Sequence, residues 1–147
     1  MNNDIVISAM TNEEEIESLR GKLSFHYTYD DAMIDSLKKH FLLKNSLYLL
    51  AKKEDEFVAF CSIDRDWWED QFFFLREILV DANFQKLGLG SRLMNACIEH
   101  AKKNGAIGVV TETAFDNYPM QKLCEKLGFR KWENPQWNEG ITYKLFF

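Results

Sequence analysis

Phe72-Phe73-Phe74-Leu75-Arg76-Glu77-Ile78-Leu79-Val80 runs through Asp81-Ala82-Asn83-Phe84 into Gln85-Lys86-Leu87-Gly88-Leu89-Gly90. The first nine residues are aromatic, β-branched or aliphatic at strand density, interrupted only by Arg76 and Glu77. Past the glycines, Leu89, Leu93, Ala96, Cys97, His100 and Ala101 recur at helical spacing. The stretch therefore reads as strand, glycine loop and helix. Glycines at such a junction leave backbone N–H groups approachable, with no Cβ in the way. Those groups and the helix dipole favour a phosphate or pyrophosphate. Lys86 and Arg92 add positive charge to a chain that is otherwise acidic. The plainer reading of the same two glycines is a turn and a helix cap.

Working outward, the 147 residues suit one domain spanning 1–147, with a core of ordinary size. The net charge of -5 argues against general nucleic-acid binding and favours cationic partners. Cys61, Cys97 and Cys124 have no metal-ligand spacing, and an odd count fits no closed disulfide set. No run approaches the apolar length of a membrane helix, and the N-terminus is acidic rather than signal-like. A reduced, soluble, cytoplasmic protein without a metal is expected.

Toward the N-terminus, Asp4 to Met10 reads as a strand through Ile5 and Ile7. Thr11 and Glu14 form an expected capping box for a helix faced by Ile16, Leu19 and Leu23. Asp30 offers a cap for a second helix with Met33, Ile34, Leu37, Phe41 and Leu42. Leu47–Ala51 and Phe57–Ile63 form a hairpin about Glu54-Asp55-Glu56. Asp64–Asp70 is a charged loop carrying Trp67 and Trp68. Toward the C-terminus, Asn104-Gly105 stops the helix, 107–113 is a strand, and Pro119 to Gly128 bounds another helix. Strands at 129–132 and 141–147 close the chain. The order β-α-α-β-β-β-α-β-α-β-β is mixed α/β.

Gln85 to Gly90, preceded by its strand, resembles the Q-x-x-G-x-G segment of the GNAT-superfamily acetyltransferases. A second segment, Asn117 followed by Leu123-Cys124-Glu125-Lys126-Leu127-Gly128-Phe129, is similar to that family's asparagine and L-Y-E-K-x-G-F. The match differs from G-x-G-x-x-G and from a P-loop, which needs Lys-Ser/Thr after the second glycine. The resemblance implies a mixed, mostly antiparallel sheet with splayed central strands and helices on both faces. It implies an acetyl-CoA co-substrate and a primary amine on a small molecule or peptide as acceptor. It also makes a homodimer a possibility to test. Carried over by position, Leu79 and Val80 offer main-chain groups to pantetheine. Gln85, Lys86, Leu87, Gly88, Leu89, Gly90 and Ser91 cradle the pyrophosphate, and Asn117 contacts the cofactor arm or simply caps its helix.

Acyl transfer to an amine needs the ammonium deprotonated, and an alkylammonium has a pKa of about 10. One branch of the family places a glutamate six residues before Val80, where this chain has Phe74. Glu77 and Glu112 are the candidate bases instead. Regular alternation sets Arg76 and Glu77 on opposite faces, unless the family's bulge intervenes. Cys124 stands where the family has its tyrosine acid, so it is either the proton donor or a small apolar core residue, with Tyr118 the alternative donor. His26, Tyr27 and Tyr29 lie where acceptors are often met. The acidic loop with Trp67 and Trp68 either holds a cation or is solvated. His40 and His100 read as helix-surface residues. Two rival functions stay open: a degenerate module that binds CoA or a protein without turnover, and a nucleotide-binding module on the same loop.

Overall fold

The computed structural model describes residues 4–20 and 29–147, and only the main chain of Lys86. Seven strands and four α-helices follow one another in the expected order. They are β1 (Ile5–Ala9), α1 (Glu14–Glu17), α2 (Asp31–Phe41), β2 (Leu47–Lys53), β3 (Glu56–Asp64) and β4 (Phe72–Val80). After them come α3 (Leu89–Lys103), β5 (Gly108–Thr113), α4 (Tyr118–Lys126), β6 (Arg130–Trp132) and β7 (Ile141–Phe146). A short 3-10 turn, Ala82–Leu87, separates β4 from α3.

The sheet runs β1-β2-β3-β4-β5-β7-β6, antiparallel except for the β4–β5 pair. Alternation along the strands divides the core. One face buries Cys61, Ile63, Phe73, Leu75 and Val109 under α3 and α4, through Leu93, Met94, Cys97 and Cys124. The opposite face buries Tyr48, Leu50 and Phe60 under α1 and α2, through Ile16, Ile34 and Leu37. Helices thus cover both faces, as two apolar surfaces require. Farther along that second face, Phe72, Phe74 and Val110 are covered by Trp67 of the β3–β4 loop.

Local signals explain the element ends. The Asp30 carboxylate accepts from Met33 N–H at 2.9 Å and opens α2. Gly105 and Gly128 take φ of 80° and 94° after α3 and α4. The first helix is a correction: its cap is not the Thr11–Glu14 box. Asn12 Oδ1 accepts from Glu15 N–H at 3.2 Å, and the Glu15 carboxylate takes Thr11 N–H and O–H at 2.9 Å each. The polar residues one place along satisfy the same helix-end donors, and the helix is a single turn.

All three cysteines are buried free thiols, and Cys61 on β3 lies 3.5 Å, sulfur to sulfur, from Cys97 on α3. Burial pushes the Cys61 thiol well above its usual pKa, with its neighbour Cys97 adding to the effect.

Gly108 opens β5 where no other residue fits. A Cβ there would lie 2.2 Å from the Leu145 carbonyl oxygen and 2.7 Å from the Phe72 ring. Gly108→Ala should therefore destabilise the fold by about 1–3 kcal/mol, through overpacking. Thermal unfolding measures it, and an unchanged midpoint would mean that β4, β5 and β7 do not meet as described.

Candidate active site

β4 and β5 pair only from Phe72↔Gly108 to Leu75↔Thr111. Beyond that point β4 stays on β3 as far as Val80↔Ala59, while β5 stays on β7 as far as Thr113↔Ile141. The two strands part, and the β4–β5 ladder ends at Leu75↔Thr111. The Thr111 hydroxyl donates to the Leu75 carbonyl at 3.0 Å, closing the last rung before the gap. At the carboxyl ends of these parallel strands stand the N-termini of α3 and α4, on either side of the opening. Ligands of open parallel sheets favour such a place.

The glycine loop lies here as expected. Gly88 has φ of 74°, and a Cβ built on it would meet nothing within 4 Å. No side chain caps α3, whose first helical bond runs from Arg92 N–H to the Gly88 carbonyl at 3.1 Å. Its first-turn N–H groups lack helical partners, an arrangement that fits a pyrophosphate. Gln85, Lys86 and Leu87 belong to the 3-10 turn, and Gln85 Nε2 donates to the Val80 carbonyl at 3.1 Å, tying the loop to the strand end. Leu89, the first residue of α3, is buried, Gly90 and Ser91 are half-buried, and Leu79 and Val80 lie on β4 past the end of its pairing with β5. Asn117 caps α4, its Oδ1 accepting from Met120 N–H at 3.3 Å.

The register of β3 and β4 slips between Ser62↔Glu77 and Ile63↔Leu75, leaving Arg76 as the extra residue. This bulge corrects simple alternation. Arg76 sits over the Phe74 ring at 4.8 Å, and its Nε and Nη2 grip the wholly buried Asp64 carboxylate at 2.7 and 2.9 Å. Glu77 pairs with Ser62, on the same face. Glu112 follows Val110 by two residues and shares that face across the gap. Both candidate bases therefore flank the parting point, opposite α3. Burial holds the Glu112 carboxyl above its usual pKa, against the Arg76 charge and a Trp67 hydrogen bond that lower it.

Cys124 lies on the inner face of α4. It is wholly buried in the α3 face of the core, and burial pushes its thiol up to about 12, with Glu125 adding to the rise. Giving a proton from there to a thiolate of ordinary basicity is uphill. Tyr118, at the mouth of the gap, is 63 % exposed. Tyr29 is buried, and His26 and Tyr27 lie outside the described residues.

The acidic loop differs from either expectation, because its charges are met by the chain itself. Asp64 holds Arg76, Asp66 Oδ2 lies 2.7 Å from His40 Nε2, and Glu69 lies 2.5 Å from Lys144 Nζ. His40 is consequently buried rather than a surface residue. His100 is half-buried, with Nε2 2.7 Å from the Asn45 carbonyl oxygen. The cation among the rings is Lys144, 3.6 Å from the Trp132 centroid and 4.4 Å from that of Phe72. Trp67, Trp68 and Trp132 stack around it with centroids 4.9 to 5.9 Å apart. Sequence reasoning missed Lys144 and Trp132. The available signal was a charged residue inside the closing strand, on the side of Thr142 rather than of the core residues Tyr143 and Leu145. Among the described residues no three metal-binding side chains gather, and no helix is long and apolar enough to cross a membrane.

A seven-stranded mixed sheet whose two parallel strands part over a glycine loop defines a class. The chain belongs to the acetyltransferase (GNAT) family, whose model matches residues 11–129. The probable N-acetyltransferase camello of Xenopus tropicalis is 25% identical over 99 residues, 67% of this chain and 45% of that protein. The chain spans less than half the length of the curated relatives it matches. PH1933 from Pyrococcus horikoshii OT3 superposes with a TM-score of 0.80 at 20% identity, over 98% of this chain and 99% of that one. A protein of Bacillus anthracis described as a putative streptothricin acetyltransferase in complex with acetyl coenzyme A superposes with a TM-score of 0.63 at 22% identity. That match covers 74% of this chain and 66% of that one.

The raised Glu112 carboxyl makes a prediction about stability. A carboxyl that is harder to ionise when folded favours the native state below the unfolded value of 4.5, and that contribution is lost as pH rises through the folded value. Glu112→Gln cannot ionise, so the stability of wild type relative to the variant should fall as pH rises across this window. Urea titrations at graded pH measure the difference. A difference that stays flat or rises would overturn the reading of Glu112.

Proposed function

We propose that this chain transfers the acetyl group of acetyl-CoA to a primary amine. The observation that carries the reading is the gap itself: past Leu75 and Thr111 the parallel strands β4 and β5 no longer pair, beside a glycine loop and a helix that no side chain caps. An extended amide-bearing arm with a pyrophosphate at its end fits both surfaces. Gln85, Lys86, Leu87, Gly88, Leu89, Gly90 and Ser91 would hold the pyrophosphate, Leu79 and Val80 the amide arm, and Asn117 the opposite side. When bound, acetyl-CoA supplies an activated acyl group.

The remaining chemistry falls to side chains around the parting point. Glu112, partly buried and hard to ionise, is suited to accept the proton of the incoming ammonium, directly or through water. A carboxylate base shifted upward is a stronger proton acceptor than an ordinary one. Glu77 is the second carboxylate on that face. Tyr118 is the donor nearest solvent for the departing thiolate, and Cys124 belongs to the core. The acceptor enters on the face of Glu77 and Glu112, opposite α3.

Thiol release from acetyl-CoA across a panel of amines tests the activity. Binding of CoA without release would favour a module that does not turn over, and ATP displacing CoA would favour a nucleotide site. A Cβ at Gly90 would lie 3.1 Å from Leu123 Cδ2, a side chain able to yield. Gly90→Val should therefore fold yet lose CoA affinity by calorimetry, and unchanged affinity would remove the loop from the site.

Glu112→Gln should cost about 10² to 10⁴ in rate with alkylamines. It should cost less with anilines, which are already neutral at pH 7. The wild-type rate should rise with pH on a limb set above the ordinary carboxylate range, because the base acts ionised. A wild-type rate and pH profile in the variant would exclude Glu112 and turn attention to Glu77.

A further inference from the structure

The β6–β7 loop forms a cleft that neither the glycine loop nor the strand gap accounts for. It has a volume of about 390 Å³, and Phe115, Trp132, Trp137, Ile141 and Thr142 are among its walls. Its shape is built into the chain. A Cβ on Gly140 would lie 2.3 Å from the Thr113 carbonyl oxygen and 2.6 Å from Trp137 Cη2. Only glycine therefore lets the Trp137 ring lie across the chain at the end of β5. Asn134 fixes the other side of the loop, donating from Nδ2 to Thr142 Oγ1 at 3.2 Å and accepting from Gln136 N–H at 2.9 Å. Phe115, just past β5, is 59 % exposed, a large apolar ring left uncovered where the cleft opens.

Register joins this cleft to the chemistry. Thr142 on β7 is the partner of Glu112 on β5 and of Trp132 on β6. Thr142 thus stands one strand away from the candidate base and the aromatic wall Trp132 two, on the same face of the sheet. Short hydrophilic amines would leave those walls wet, whereas a ring or bulky aliphatic group would cover them.

We propose that this cleft selects the acceptor, receiving the apolar body of a primary amine that carries an aromatic or bulky aliphatic group while its nitrogen lies toward Glu112. The proposal rests on the N-acetyltransferase reading above. Trp137 determines specificity and takes no part in the proton transfers.

The test compares 2-phenylethylamine with ethylamine at saturating acetyl-CoA. Burial of a phenyl ring should raise kcat/KM for 2-phenylethylamine at least about tenfold over ethylamine. Trp137→Ala should bring the ratio to within about threefold of unity, while calorimetric CoA binding confirms that the variant folds. Equal kcat/KM for the two amines, or a ratio that survives Trp137→Ala, would overturn the cleft's role and leave the N-acetyltransferase reading standing. If neither amine is acetylated, that reading fails and the cleft is judged by calorimetry on the CoA-loaded protein. Binding of 2-phenylethylamine that Trp137→Ala removes then supports the cleft, and absence of binding overturns it.

Discussion

The hydrogen bond from the Thr111 hydroxyl to the Leu75 carbonyl marks the place on which the rest of the structure turns. Up to that rung two parallel strands satisfy one another, and past it they separate within the same sheet. Main-chain polar groups in a protein interior must find partners. A gap between central strands is therefore tolerable only if something else supplies them. Gln85 answers the Val80 carbonyl from the loop, and the strands beyond keep their outer neighbours, β3 and β7. Past Leu75 the β4–β5 ladder has ended, and a ligand with its own amides fits between the two strands.

The bulge at Arg76 follows from the same parting. One extra residue turns Arg76 and Glu77 toward the same face, and Asp64, with no exposed surface, takes the guanidinium in a two-pronged grip. Breaking such a buried pair from one side typically costs about 3–5 kcal/mol, so the bulge is anchored firmly. The β3–β4 loop is then pinned at three further points: to α2 through His40, to β7 through Lys144, and to itself through Arg65 and Asp70. Its carboxylates have partners within the chain before any ligand arrives. Trp67, held by these contacts, can hydrogen-bond the Glu112 carboxylate and limit its rise. The electrostatic setting of the candidate base thus depends on residues from β4, β7 and the loop together.

Much of this was legible in the chain. Strand, glycines and helix around Gly88 are local patterns, and so are the Asp30 cap and the glycines after α3 and α4. Each follows from backbone conformation or hydrogen bonding within a few residues. The element order and the two-faced sheet followed from periodicity. The bulge was not legible, because a register slip belongs to two strands at once and changes nothing in the composition of either. His40 and Lys144 escaped for a related reason: a charged residue on a regular element reads as solvated until its partner, 26 or 75 residues away, is known. Cys124 was ambiguous because a thiol serves equally as acid or as filling, and only its burial separates the two. The cleft at the β6–β7 loop was invisible because its walls come from the ends of three strands, and neither Phe115 nor Trp137 is unusual where it stands.

The stack of Trp67, Trp68 and Trp132 has an optical consequence. Indole rings with centroids within 6 Å of one another do not absorb independently, since their transition dipoles couple. The loop that braces Glu112 therefore carries its own chromophore, and the part of its circular dichroism that involves Trp132 depends on the docking of β6 against the β3–β4 loop. Trp137, the fourth indole, stands apart in the cleft with its own emission. Because Trp132 belongs both to the cluster and to the cleft wall, lifting of the loop would change the coupled signal alone, whereas filling of the cleft would change it together with the Trp137 emission, in an unlabelled protein.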